Sequence, residues 1–186
     1  MKYYTIQNKG LLIADNKQAL TKFYNNVLPL PRDYEPNKYI VVAGKLVLNP
    51  NWDNLQLQKA KDNKIQENDT ARDNALLQGV VYQDVLFDSD TDQKVNLLAI
   101  VSTMGDEDTI VWFGMDNVPL ECGKQDLINI GGLITQLHTF CWGHNAEIKQ
   151  AINDALTVEE VNEIIIDYTL PEEEVIEGTN DTDVSA

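Results

Sequence analysis

Residues 124–156 read KQDLINIGGLITQLHTFCWGHNAEIKQAINDAL, and this stretch decides the fold. Leu127, Ile130, Ile134, Leu137, Cys141, Ile148, Ile152 and Ala155 recur at spacings of three, four or seven, which places them on one face of a helix. An apolar stripe of this length has to be covered, so other elements of the chain must pack on it. Gly143 marks the one place where an interruption of the helix is expected.

Toward the N-terminus, Thr109-Ile110-Val111-Trp112-Phe113-Gly114 and Val118-Pro119-Leu120-Glu121 read as a hairpin around Met115-Asp116-Asn117. Asp116 and Asn117 tolerate the left-handed backbone of a tight turn. Further upstream, Asp90 is placed to cap a helix from about Thr91 to Thr103, and the stretch from Gly79 to Asp88 reads as a hairpin or bent strand. Downstream, Thr157 and Glu160 have capping-box spacing for a last short helix from Val158 to about Ile164.

The first fifty residues read as a smaller α+β lobe. An apolar stretch from Tyr3 to Ile13 precedes a helix expected from Asp15 to Val27, with Asp15 and Gln18 at capping-box spacing. Tyr39-Ile40-Val41-Val42 and Lys45-Leu46-Val47-Leu48 flank Ala43-Gly44, which suits a two-residue hairpin turn. From Asn51 to about Leu77 the pattern is helical but thinly apolar, which fits a solvated connector or one strand of an oligomeric coiled coil. No heptad persists for three repeats, so the connector is the favoured reading.

The expected fold is therefore α+β, in four segments. Residues 1–50 form an N-terminal α+β lobe with a hairpin, 51–78 a connecting helix, and 79–168 a C-terminal lobe of β-hairpins packed on the long amphipathic helix. Residues 169–186 form an acidic tail. That tail holds Glu172, Glu173, Glu174, Glu177, Asp181 and Asp183 with no basic residue, and disorder is expected there.

Charge narrows the partners. Thirty acidic against 14 basic residues give a formal net charge of -16, which repels phosphate backbones and anionic headgroups. Nucleic acid is not expected as a partner, and no apolar run is long enough for membrane insertion. The first residues lack the apolar core of a signal peptide, which suggests synthesis in the cytoplasm. Cys122 and Cys141 are expected as reduced thiols.

Several residues invite a chemical reading. Asp88, Asp90 and Asp92 imitate the start of a calcium loop, but Gln93 stands where a turning glycine is needed and Ala99 where a bidentate Glu is needed. Helix capping is the better reading. His138, Cys141 and His144, with Cys122 as a fourth, are the one soft-ligand cluster, yet Cys141 lies on the apolar stripe and packing explains it better than zinc does. We therefore expect no catalytic residue, no metal ligand and no cofactor. Trp52, Trp112, Phe113 and Trp142 are the candidate interface residues; Trp112 and Phe113 point to opposite faces of their strand, so one of the two faces away from the core.

The second half of the chain also resembles a known family. Ala71-Arg72-Asp73 leads into Gly79-Val80-Val81-Tyr82, followed by Phe87-Asp88-Ser89-Asp90 with Gln93, and then by Val111-Trp112-Phe113 with Asp116-Asn117. The long helix carries Leu133, Leu137 and His138 and ends in Ile152-Asn153-Asp154-Ala155, before Thr157-Val158-Glu159-Glu160. In this order the stretch from about 70 to 167 resembles a domain of unknown function found in phage tail-fibre and tail-fibre-assembly proteins. Leu30-Pro31-Arg32-Asp33-Tyr34 and Asn49-Pro50-Asn51-Trp52 look like the front half of such tail-associated proteins.

The resemblance implies a non-enzymatic module of a phage or prophage, acting by protein–protein binding as a tail-fibre component or assembly partner. Its expected partner is a tail-fibre protein, or further copies of itself in a homo-oligomer such as a trimer. It would be made in the bacterial host cytoplasm and belong to the virion tail. The alternative is an acidic decoy whose charge imitates phosphates and inhibits a host nucleic-acid-binding protein.

Overall fold

In the computed structural model, residues 1–8 and 10–170 are described, and they form a mixed helix and strand protein with small antiparallel sheets and one long helix. The expected disorder of the acidic tail falls on residues 171–186, outside the described residues. The chain divides into two compact units, one made of Met1–Lys61 with Leu156–Val158, the other of Asp62–Ala155 with the residues from Glu159 onward.

In the first unit, β1 (Tyr3–Gln7) pairs antiparallel with β2 (Gly10–Ala14) on one side and β3 (Leu28–Pro29) on the other. The apolar N-terminal stretch is thus a hairpin. Helix α1 covers only Lys17–Thr21, shorter than the segment expected from Asp15 to Val27, and its cap is Asn16, whose side chain accepts from the Ala19 amide at 2.8 Å. Two causes end it early. Aromatic and Asn residues at 23–26 are poor helix formers, and Pro29 pushes Leu28 into the extended state that β3 uses.

Strands β4 (Tyr39–Val42) and β5 (Lys45–Leu48) form the expected hairpin across Ala43-Gly44. Both turn residues have positive φ, 50° and 73°, as a two-residue turn with the correct twist requires. Asp33 anchors this hairpin, accepting from the Tyr39 hydroxyl at 2.8 Å and pairing with Lys38 at 2.9 Å.

Helix α2 (Trp52–Leu76) is continuous for 25 residues, and the division between the units falls within it. Only Asn68 and Ala75 of its side chains are buried. In the second unit, β6 (Val80–Tyr82) and β7 (Val85–Phe87) form one hairpin, and β8 (Thr109–Phe113) and β9 (Pro119–Gly123) another. Between them, α3 (Thr91–Thr103) starts at Asp90, whose carboxylate accepts from the Gln93 amide at 2.7 Å. This is the helix cap expected of Asp90. In the β8–β9 turn Asn117 takes the left-handed backbone, at φ 58°, and Asp116 does not.

The core forms where α4 (Lys124–Asp154) receives these hairpins. Leu127, Ile130, Ile134, Leu137 and Cys141 from α4 cluster with Val80, Val85, Phe87, Leu97 and Cys122. The stripe read from the sequence is the stripe that is buried. Gly114 lets the two hairpins touch: an added Cβ would meet the Leu86 carbonyl oxygen at 2.5 Å, and the neighbouring Met115 amide donates to that oxygen at 2.8 Å. Helix α5 (Val158–Glu163) follows.

Helix α4 is not interrupted at Gly143, contrary to the expectation. Its hydrogen-bond ladder carries through because its neighbours on both sides are anchored by buried Cys141 and Asn145. An added Cβ at Gly143 would meet nothing within 4 Å. Gly143→Ala should therefore stabilise the protein by about 0.5–1 kcal/mol, raising Tm by about 1–4 °C in a thermal melt, whereas Gly114→Ala should lower it.

Candidate functional site

The second unit carries an apolar groove on its surface. Helices α3 and α4 run antiparallel, fixed at both ends by polar contacts. The His138 Nε2–H donates to the Ser89 carbonyl just before α3 at 2.6 Å, and Lys124 at the start of α4 holds Asp106 beyond the end of α3 at 2.9 Å. Leu97 fills the inward face of α3.

Val95 and Leu98 then have to face outward, and they are 59% and 71% exposed; across from them Ile128 of α4 is 45% exposed. Gly131 leaves the floor open, since nothing lies within 4 Å of where its Cβ would stand. The resulting groove holds about 500 Å³, and among its lining residues only Lys94 carries a full charge.

A buried polar cluster lies elsewhere in the same unit and ties α2 to α4. Asn68 is fully buried, donating to the Asn145 backbone carbonyl at 3.2 Å and accepting from the Tyr168 hydroxyl at 2.7 Å. Asp69 accepts from Lys149 at 2.6 Å, from the Asn145 amide at 3.0 Å and from Arg72 at 3.1 Å. The Lys149 ammonium beside it, helped by Asn145 and Arg72, holds the Asp69 carboxyl below the usual carboxylate range. These groups satisfy each other inside the protein, so the cluster locks packing and leaves little for a ligand.

The four candidate interface residues have different surroundings. Trp52 is half-buried at the start of α2, with the Lys38 ammonium 6.0 Å from its ring centre. Trp112 packs against the core, where its Nε1 is buried without a partner, and Phe113 on the opposite face of β8 is 56% exposed. Phe113 is thus the residue of that pair that faces away from the core. Trp142 is 53% exposed with the Arg72 guanidinium stacked 4.2 Å over its ring, a contact contributing about 0.5–2 kcal/mol.

The soft-ligand residues do not converge. Among the described residues, no group of three or more His, Cys, Asp or Glu side chains is arranged to hold a metal ion. His138 is engaged by Ser89, while His144 stacks on Phe140 at 5.4 Å and meets the Tyr168 ring edge-on at 5.3 Å. Burial pushes both the Cys122 and Cys141 thiols up, which keeps them protonated and poor as nucleophiles. Among the described residues no helix is long and apolar enough to cross a membrane.

Sequence reasoning missed both the groove and the polar cluster. A signal for the groove was present: Val95, Leu97, Leu98, Ile100 and Val101 make α3 more apolar than one buried face requires. The cluster had only the weak signal of Asn68, Asp69 and Arg72 sharing a helical face, matched by Asn145 and Lys149 four residues apart.

The family model described as a domain of unknown function, DUF4376, matches residues 59–169, a span that contains the groove and the polar cluster. No curated protein matches the chain, and no solved structure matches it.

Two outcomes follow from the cluster. Asn68→Ala removes the acceptor of the Tyr168 hydroxyl and should cost about 1–3 kcal/mol in a denaturant titration. Asp69 is depressed in the folded state, so its contribution is present above the unfolded value near 3.8 and lost as pH falls through the lower folded value. Asp69→Asn should therefore be less stable than the parent at neutral pH, and the gap should close under strong acid.

Proposed function

Because the chain belongs to the DUF4376 family, a domain of unknown function, we propose its role from its own residues: a non-enzymatic phage or prophage protein that binds a tail-fibre protein, as fibre component or assembly partner. The tail-fibre setting rests on the resemblance of residues 70–167 to domains of such proteins. The binding mode rests on the groove between α3 and α4.

Exposed Val95, Leu98 and Ile128 converge on one concave, nearly uncharged surface. Contiguous apolar surface facing water is a liability unless another molecule covers it, and a protein partner does so with a gain in free energy. The exposed side of β8, with Val111 and Phe113, offers a second apolar contact. The protein would be made in the host cytoplasm and end in the virion tail.

The acidic-decoy alternative has less support. Asp33, Asp69, Asp106 and Asp126 are engaged by Lys38, Lys149, Lys124 and the Tyr82 hydroxyl, so these carboxylates are not free to imitate a phosphate row.

Mass by light scattering, alone and after co-expression with a tail-fibre protein of the same phage, tests the reading. A stable complex with the fibre protein, or a homotrimer alone, is the expected outcome. A monomer that ignores the fibre protein would sink the reading.

A further inference from the structure

We infer that the groove between α3 and α4 receives an amphipathic helix of the partner protein whose apolar face is bounded by basic residues at both ends. The inference rests on the protein-binding reading above and names the chemistry of its partner.

Shape comes first. The groove lies between two antiparallel helices, with Leu98 and Val95 on one wall, Ile128 on the other and Gly131 at the floor. The lining on α3 runs from Thr91 to Val101, so the groove extends about 15 Å, enough to seat about three turns of a helix. Side chains at spacings of three and four on such a helix would fill the space above Gly131.

Charge selects the occupant. Exposed Asp90 and Asp92 lie at the first end of α3, and exposed Asp106, Glu107 and Asp108 follow its last turn. Lys124 neutralises Asp106 alone of these. Both ends of an apolar groove are thus acidic, and Lys94, whose long stem can serve as wall, is the charged lining residue.

An occupant with Lys or Arg at each end of its apolar face is attracted at both ends. A second copy of this chain is not, because it brings the same acids and a formal net charge of -16. The chain's own residues beyond Leu170 do not fit either, since Glu172, Glu173, Glu174, Glu177, Asp181 and Asp183 come with no basic residue.

The test uses the full chain and a labelled synthetic peptide of about 14 residues, with leucines on one helical face and lysines at both ends, followed by fluorescence anisotropy. Saturable binding is expected. It should weaken about tenfold or more with Leu98→Asp in the protein, and with a peptide of the same composition whose leucines are scattered around the helix. Gly131→Leu, which fills the groove floor, should block binding independently should Leu98→Asp disturb the fold. Phe113→Asp should leave the affinity unchanged. Asp92→Asn with Glu107→Gln, and separately a peptide with glutamates at its ends, should each weaken binding, and added salt should do the same.

Equal binding of the scattered peptide, or of the Leu98→Asp and Gly131→Leu proteins, would overturn the inference, as would no binding at all. So would a homodimer or homotrimer in light scattering that Leu98→Asp dissociates, since the groove would then belong to another copy; an oligomer that Leu98→Asp leaves intact is joined elsewhere and leaves the inference standing. If the fibre protein still co-purifies with Leu98→Asp and Gly131→Leu, the groove inference fails while the tail reading stands. If the peptide binds in the groove but the unaltered chain ignores the fibre protein, the tail reading fails and the groove retains its basic-ended helical partner.

Discussion

Covering the apolar stripe of α4 is the constraint on which the second unit depends. Leu127, Ile130, Ile134, Leu137 and Cys141 lie between 0% and 4% exposed, and each large apolar side chain so buried contributes about 1.5–3 kcal/mol. The two hairpins that cover them have strands of three and five residues, and isolated two-stranded ribbons are marginal in water. They persist because Phe87 and Cys122 give each a fully buried anchor in the α4 core. The helix is thus the template, and the strands are its cover.

Polar contacts then decide orientation rather than bulk stability. Asp126 near the start of α4 accepts from the Tyr82 hydroxyl at 2.8 Å and from the Gly123 amide at 2.8 Å, which ties the β6–β7 hairpin to the first turn of α4. Those bonds hold its carboxyl below the usual range. At the other end of the helix, Asn145 and Lys149 capture Asn68 and Asp69 of α2, whose apolar stripe is too thin to fix its rotation. A polar lock suits this position, because buried amides accept few alternative partners and so specify one register.

Elements with one dominant local or periodic cause were legible in the sequence. The α4 stripe, the Asp90 cap, the Ala43-Gly44 turn and the left-handed Asn117 each follow from such a cause. The length of α1 and the continuity of α4 through Gly143 were not, because there the tertiary setting outweighs propensity: β3 claims the residues after α1, and buried Cys141 and Asn145 carry α4 across its glycine. Which of Trp112 and Phe113 faces solvent could not be read from alternation, since alternation fixes opposition but not sign. The pairing of β8 with β9 over α4 supplies the sign, turning Trp112 inward. The polar cluster joins residues about 77 positions apart, a separation that no local pattern encodes.

The groove and the unusual charge of the chain explain each other. An apolar concavity holding Leu98 and Val95 in water invites association between like copies, and among acidic chains that association is opposed by electrostatic repulsion. The opposition is strongest where the acids are local to the patch, and Asp90, Asp92, Asp106, Glu107 and Asp108 sit at the two ends of α3. On the proposed reading, one set of carboxylates serves two ends: it disfavours other copies at the apolar surface, and it raises the encounter rate with a basic partner. Discrimination of this kind comes from the repulsive element as much as from the attractive one. On that reading the acids flanking α3 act in binding, although none of them lines the groove.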